Sequence, residues 1–539
     1  MNRVKHFLSG KPAGIIAVLI ASAAINCRQI VLDNFASDNA FIIAAARNLA
    51  EGHGYSIKVA LISDLANCYY APLNKWPPGY SWMLVCIHKF SGTDWLHAAY
   101  LLNGIALTAV VIVFGKLLFQ LNILNWFVPV AVLCFGFIEH AFLSSFADIP
   151  GLLFYLTGLS LLLYYLESKY RRAWAVILAA AAFSFSAYLK YLYLPLAFIP
   201  HFCLFWYGIK LKRKEIRQTA LIGIVILFLF TGGLLLYLHF HSGQAYYFNP
   251  TQTGFYPEQL FRPITVIPAS FMNLNFYNVQ ISLHSHISYP DMELFWAILN
   301  GGCLIWLTYA GWIAFKQKGF WLKGKHSFYA IQACFVSGAL FIFLAALTVH
   351  FNKYYSLRRP DWVYLQETRY YAVFCIFVLQ FVVYLLLSGK DYLGKKGIIA
   401  FRLFMVLIMS VEVSHGVYYF FKKIGIEKKY GIERKSEKID LRALTLTKQE
   451  LSKSKNVVVC SNSEEIVNVC GFSEAATFQD IRLLPAHIPA SHPLMLITVI
   501  DTNIPYLFPP YFRTTDTKLE YEYSGVYYYT SKIPKTAKD

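Results

Sequence analysis

A mainly α, polytopic membrane bundle with a small α/β domain outside the bilayer is the fold class this sequence predicts. Three observations carry that reading. Of the 539 residues, 57% are hydrophobic, 17% aromatic and only 14% charged, too oily for a soluble domain of this length. Apolar runs of about 20 residues, the length a helix needs to cross a bilayer, recur about eleven times. From about residue 440 the long runs give way to short, turn-bounded segments.

The spans are expected near residues 13–31, 95–117, 124–145, 149–167, 173–189, 191–208, 218–239, 293–315, 328–349, 369–388 and 399–420. The amino terminus, MNRVKHFLSGKPAG, is basic and lacks a small-residue cleavage pattern, which predicts a retained signal anchor. With that terminus in the cytoplasm, the basic loops ESKYRR, KLKRKEIR, KQKGFWLKGKH and GKDYLGKKG all fall inside. Residues 32–94, 146–148, 240–292, 350–368 and the tail after 421 then lie outside. The basic stretch FKKIGIEKKYGIERKSEK at 421–438 falls on the outer side, after the last crossing, where the charge rule is weakest.

The net charge of +18 is therefore anchoring charge in membrane loops, and no nucleic-acid partner is expected. Most of the ten Cys lie in or near apolar segments and read as small packing residues. Cys460 and Cys470 share a polar region and could pair if it is extracytoplasmic.

Two domains follow: a transmembrane part over 1–420, and a linker with a small extracytoplasmic α/β domain over 421–539. In the latter, NVVVC and LMLITVID read as buried strands, SEEIVNVCG as a capped helix and KLEYEYSGVYYYTSK as alternating strands. No internal repeat stands out.

Candidate chemistry gathers at the outer boundary. SDNAFIIAAARNLAEGHGYS, residues 37–56, predicts a helix of about 13 residues, too short to span, lying along the outer interface and stopped by glycines. Asp38 heads it, either as an N-cap or as a reacting carboxylate. Pro77 and Pro78 in APLNKWPPGYSWMLVCIHKFSG open a second interfacial helix, with Lys75 just before it. Asp148 falls in the short turn between the third and fourth spans, Lys190 between the fifth and sixth, and Arg369 at the outer start of the tenth. Each has a plainer reading: a helix cap for Asp148, and snorkelling or anchoring for Lys75, Lys190 and Arg369. Charges near a helix centre cost roughly 2.5–3.5 kcal/mol and less at its ends, so several at one face imply a shared cavity. A cluster of Asp38, Asp148 and His53 around a divalent metal is an alternative use of the same face. His284 and His286 in the long outer loop read as surface or packed residues, and its many aromatics suit either sugars and headgroups or the membrane surface.

The order Asp38, Ile42, Ala46, Arg47, Leu49, Gly52, followed by NKWPPGYSWML, resembles the first loop of the GT-C glycosyltransferases. The nearest subgroup is glycosyltransferase family 39, the protein-mannosyltransferase and aminoarabinose-transferase type. The resemblance continues through SSFADIPGLLFYLTGLSLLL, FSAYLKYLYLPLAFIP and ETRYYAVFCIFVLQ, and covers most of the membrane part but not the tail. It implies that Asp38 is the catalytic carboxylate and that Lys75 and Lys190 bind a donor phosphate, with Arg369 beside them and Asp148 as a supporting acid. The family usually shows an acidic pair at the first position, whereas Asn39 follows Asp38 here, so a role needing two acids is not carried over.

The expected function is an integral-membrane, inverting glycosyl transfer from a polyprenyl-phosphate sugar to a hydroxyl of a lipid, glycan or protein acceptor. It would take place on the extracytoplasmic side, in a bacterial inner membrane, with membrane lipids around it. Basic side chains stabilise the departing phosphate, so no cofactor is required. Two other classes remain open: a transporter or lipid flippase, though the repeated halves and mid-helix breaks of one are not visible, and an inactive assembly partner.

Overall fold

A computed structural model describes residues 37–124, 146–169, 172–242, 324–351, 394–400, 435–454, 456–462, 474–478, 484–501, 510–513, 515–523 and 526–535, with isolated positions elsewhere. The chain begins its described course in helix α1 (Ser37–Ala50), 14 residues long. Its expected place was half-bare on the membrane surface. Instead protein encloses it: Asn39, Ala40, Ile42, Ile43, Ala45, Ala46 and Asn48 are all buried. Five alanines on the helix leave room for neighbours to approach closely, so a largely apolar helix becomes a core element.

A hairpin follows, β1 (Ser56–Leu61) with β2 (Asp64–Pro72), paired antiparallel from Ser56–Pro72 to Leu61–Asp64. Two positive-φ glycines, Gly52 at 88° and Gly54 at 73°, turn the chain from α1 into it. Helix α2 (Gly79–Ser91) starts after Pro78 and ends on Gly92, whose left-handed backbone returns its N–H to His88 O. Ser81 Oγ donates to Ile42 O at 2.8 Å and ties α2 to α1.

The bundle proper comprises α3 (Trp95–Gln120), α4 (Asp148–Glu167), α5 (Trp174–Leu189), α6 (Tyr193–Lys210), α7 (Lys214–Ser242) and α8 (Gly324–Phe351). Of these, α3, α4, α7 and α8 are long and apolar enough to cross a membrane by length and composition, which makes this an integral membrane protein. Asp94 caps α3 by accepting the N–H groups of Leu96 and His97, both at 3.0 Å. A continuous apolar core runs from Leu118 on α3 through Leu159 and Phe183 to Leu204, Leu227 and Leu340. Inside it Gln120 and Ser160 exchange hydrogen bonds between α3 and α4, Ser160 Oγ to Gln120 Oε1 at 3.0 Å and Gln120 Nε2 to Ser160 O at 3.1 Å. The spans expected near 13–31, 124–145, 293–315, 369–388 and 399–420, the loop with His284 and His286, and SEEIVNVCG lie outside the described residues or touch them only at isolated positions.

The tail forms α9 (Lys435–Lys453), β3 (Val457–Ser461), β4 (Ala476–Phe478), β5 (Leu494–Asp501), β6 (Asp516–Tyr523) and β7 (Val526–Ile533). Its strands do not close a sheet alone. The hairpin joins them in one seven-stranded sheet of order β2-β1-β4-β3-β5-β7-β6, through a parallel contact of Val59 with Thr477. Lys58 Nζ donates to Glu474 O at 2.9 Å, Leu65 N to Pro489 O at 3.0 Å and Ser491 N to Asp64 Oδ1 at 2.9 Å. One face packs under Ala443 and Leu446 of α9. The other collects Ala60 and Leu65 of the hairpin with Val458, Phe478, Leu496 and Tyr511.

Cys460 is a free, fully buried thiol whose Sγ lies 3.5 Å from Thr498 Oγ1 and 3.6 Å from Tyr511 Oη. Burial pushes that thiol up to about 11, despite hydrogen bonds from Thr498 and Tyr511 that favour the thiolate. Iodoacetamide at pH 8 is expected to leave Cys460 unmodified in the folded protein and to label it in denaturant, read by peptide mass. A second expectation concerns Gly79, where a Cβ would stand 2.5 Å from Tyr188 O. Gly79→Ala should lower stability by about 1–3 kcal/mol, measured as a fall in melting temperature in detergent.

Candidate active site

Lys190 is where one helix stops and the next begins. Its extended backbone, φ −153° and ψ 130°, ends α5, and its carbonyl accepts from Tyr193 N at 3.0 Å to open α6. The break points the Lys190 ammonium at Asp148, the first residue of α4, and Nζ donates to Oδ1. A carboxylate in the first turn of α4 also meets the positive end of that helix. The pair is withdrawn from solvent, Asp148 at 5% and Lys190 at 16% side-chain exposure. Lys190 Nζ lies over the ring of Tyr370, 4.8 Å from its centroid, which places the residue after Arg369 against the pair.

Two hydrogen bonds bring the segment from α1 to α2 to this point. Asn39 Oδ1 accepts the N–H of Phe146 at 2.7 Å, holding the first turn of α1 two residues from Asp148. Tyr191 Oη donates to Asn74 O at 2.9 Å, holding the segment before α2 one residue from Lys190. Lys75 is exposed there, with Nζ 4.6 Å above the Trp76 ring, which in turn stacks on Phe41 of α1 at 5.2 Å. Beneath them Tyr55 is wholly buried and its hydroxyl donates to Trp76 O and Pro77 O at 3.1 and 3.3 Å. Burial holds that hydroxyl well above the usual tyrosine range, so it stays a donor.

The structure thus brings together the segments of Asp38, Lys75, Asp148 and Lys190. Asp38 is the second residue of α1; its side chain and all of Arg369 lie outside the described residues. His53 follows the far end of α1, about 18 Å along the helix axis from Asp38, and stacks on Tyr70 at 3.9 Å. Other residues of the first-loop pattern serve the fold. Arg47 is buried, its guanidinium donating to Asn48 Oδ1 at 2.8 Å with Glu51 at 3.5 Å. Burial lowers it from the ordinary arginine value, and the Glu51 charge opposes that shift. Asn48 Nδ2 donates to Ser56 O at 2.8 Å and sets the turn into β1. The residues that sequence reasoning missed are Asn39 and Tyr191; an amide directly after Asp38 was the visible sign of the first.

No protein-family model matches the chain, and no curated protein matches it in sequence. Solved structures do. ArnT from Cupriavidus metallidurans, in the apo state, aligns over 96% of this chain and 97% of that one, with a TM-score of 0.53 and 11% identity. The chain shares the fold of that structure. The oligosaccharyltransferase of Archaeoglobus fulgidus also matches, with a TM-score of 0.46 and 10% identity over 91% of this chain and 69% of that one. A further structure of the Archaeoglobus fulgidus oligosaccharyltransferase AglB, with an inhibitory peptide and a dolichol-phosphate, has a TM-score of 0.46 and 10% identity over 90% and 69%.

Within this fold the Asp148–Lys190 pair is interdependent. Lys190→Met strands a buried carboxylate and should cost on the order of 3–5 kcal/mol. Adding Asp148→Asn should recover most of that loss, so unfolding of the two single variants and the double variant in detergent measures the coupling.

Proposed function

We propose that this chain is an integral-membrane, inverting glycosyltransferase that moves a sugar from a polyprenyl-phosphate donor to a hydroxyl acceptor on the extracytoplasmic face. The observation that carries the proposal is the Asp148–Lys190 pair, fastened through Asn39 and Tyr191 to the two stretches that hold Asp38 and Lys75, in a chain that shares the fold of ArnT.

The chemistry asks for two things. The acceptor hydroxyl is a poor nucleophile until a base takes its proton, and the carboxylate of Asp38 takes it as the new bond forms. The leaving group departs as a lipid phosphate carrying added negative charge, and fixed cations in a water-poor site stabilise it. The acceptor oxygen attacks the anomeric carbon from the face opposite the phosphate. The bond from that carbon to the phosphate oxygen breaks, both of its electrons leave with the phosphate, and the configuration inverts.

Lys190 is one such cation, and Asp148 aims it. The two charges sum to zero, so the incoming phosphate needs further positive groups. Lys75, exposed at the mouth of the site, meets the donor from solvent, and Arg369 beside Tyr370 completes the set. This scheme draws its stabilisation from side chains and calls for no divalent metal. The acceptor is a lipid, glycan or protein hydroxyl, in the setting of a bacterial inner membrane with the site facing the periplasm.

Purified protein supplied with a labelled polyprenyl-phosphate sugar should form product, and Asp38→Asn should lower kcat by about 10²–10⁴-fold. Equal turnover in that variant would remove Asp38 from the chemistry, and no transfer with any donor would favour a transporter or an assembly partner. Lys75→Ala should raise the donor KM about tenfold with kcat little changed, equivalent to about 1.4 kcal/mol of lost binding. Sidedness is read with an impermeant maleimide on intact cells. Cys68 on β2 and Cys86 on α2, both exposed, should react from outside, and the double variant Cys68→Ser, Cys86→Ser should abolish the signal of that segment, read by peptide mass.

A further inference from the structure

Asn39 occupies the position beside Asp38 where the family resemblance leads one to expect a second acid. It is 1% exposed, so its amide is withdrawn from solvent. Its Oδ1 accepts the N–H of Phe146, a residue 107 positions away. Phe146 precedes α4, whose first backbone bond runs from Gly151 N to Ala147 O, so that helix does not use the Phe146 N–H. The Phe146 ring is itself fixed between Tyr80, at 6.3 Å, and Tyr100, at 5.8 Å. Two residues on, Asp148 binds Lys190. A single side chain therefore spans from the first turn of α1 to the segment that carries the ion pair.

We propose that Asn39 is a positioning residue, which holds the first turn of α1 at a set distance from the Asp148–Lys190 pair and so fixes Asp38 relative to the cation beneath the donor phosphate. The proposal rests on the glycosyl-transfer reading above. An aspartate at this position would accept the same N–H, but it would add a carboxylate next to Asp38 and close to Asp148. Like charges raise one another's pKa, so such a neighbour would protonate the general base at higher pH. The amide supplies the acceptor without that charge.

Two variants and two readouts test this. Asn39→Ala removes the acceptor and should lower kcat on the order of tenfold to a hundredfold, as a displacement of about 1 Å does, while donor KM changes little. Asn39→Asp keeps the acceptor and should recover most of the kcat at its own optimum. The acid limb of its pH profile should stand at higher pH than that of the wild type, because the base must be ionised to act. The second readout is hydrogen exchange at the Phe146 amide in the full-length protein, which needs no turnover. Protection should fall in Asn39→Ala and persist in Asn39→Asp. Unchanged protection in Asn39→Ala, or wild-type kcat in an active preparation of it, would overturn the assignment; the acid limb of Asn39→Asp reports only the added charge. Absence of transfer by the wild type would instead overturn the glycosyl-transfer reading, and exchange at Phe146 would still decide whether Asn39 forms the link.

Discussion

A carboxylate and an ammonium, both drawn out of water at the meeting of three helix ends, set the terms for this end of the bundle. Neither charge could be kept there alone, since an unpaired ion at such depth costs several kcal/mol. Their attraction repays that cost only at contact distance. The start of α4 and the junction of α5 with α6 are thus obliged to stay together, and whatever hangs from them inherits that precision. Burial also holds the ammonium in one orientation, because Asp148 is its partner there.

The segment from α1 to α2 is fastened to this centre by uncharged side chains. Asn39 and Tyr191 reach across to it, while Ser81 and Asn48 hold the body and the far end of α1. A helix of 14 residues would be marginal alone in water. Here it is gripped along its length, and the residue at its second position gains a defined place without needing a long element behind it.

What was legible beforehand divides along physical lines. Long apolar runs announce helices because the bilayer leaves no other choice, and α3, α4 and α7 fall where hydropathy puts them. Strands β3, β5, β6 and β7 were visible as apolar or alternating runs. The hairpin at 56–72 was not, because SIKVAL and DLANCYYAP carry too few apolar residues to reveal a partner more than 400 positions away. The enclosure of α1 was missed for a related reason: an alanine-rich helix looks the same on paper whether lipid or protein surrounds it. At the site, charged residues at predicted helix ends signalled Asp148 and Lys190, and both proved to be partners. Asn39 and Tyr191 were hidden because an amide or a phenol gives no sign of its acceptor until the chain is folded.

The mixed sheet has a consequence for how the chain is made. Strand β1 emerges early, yet the contacts that complete it span 416 and 419 positions. At about 5–20 residues per second, its open edge waits roughly 20–80 s while the membrane helices are inserted. During that interval the edge offers unpaired amides to any passing strand. Completion of the sheet then acts as a seal that only a fully synthesised chain can apply, and a truncated product would carry a raw edge for quality control to recognise.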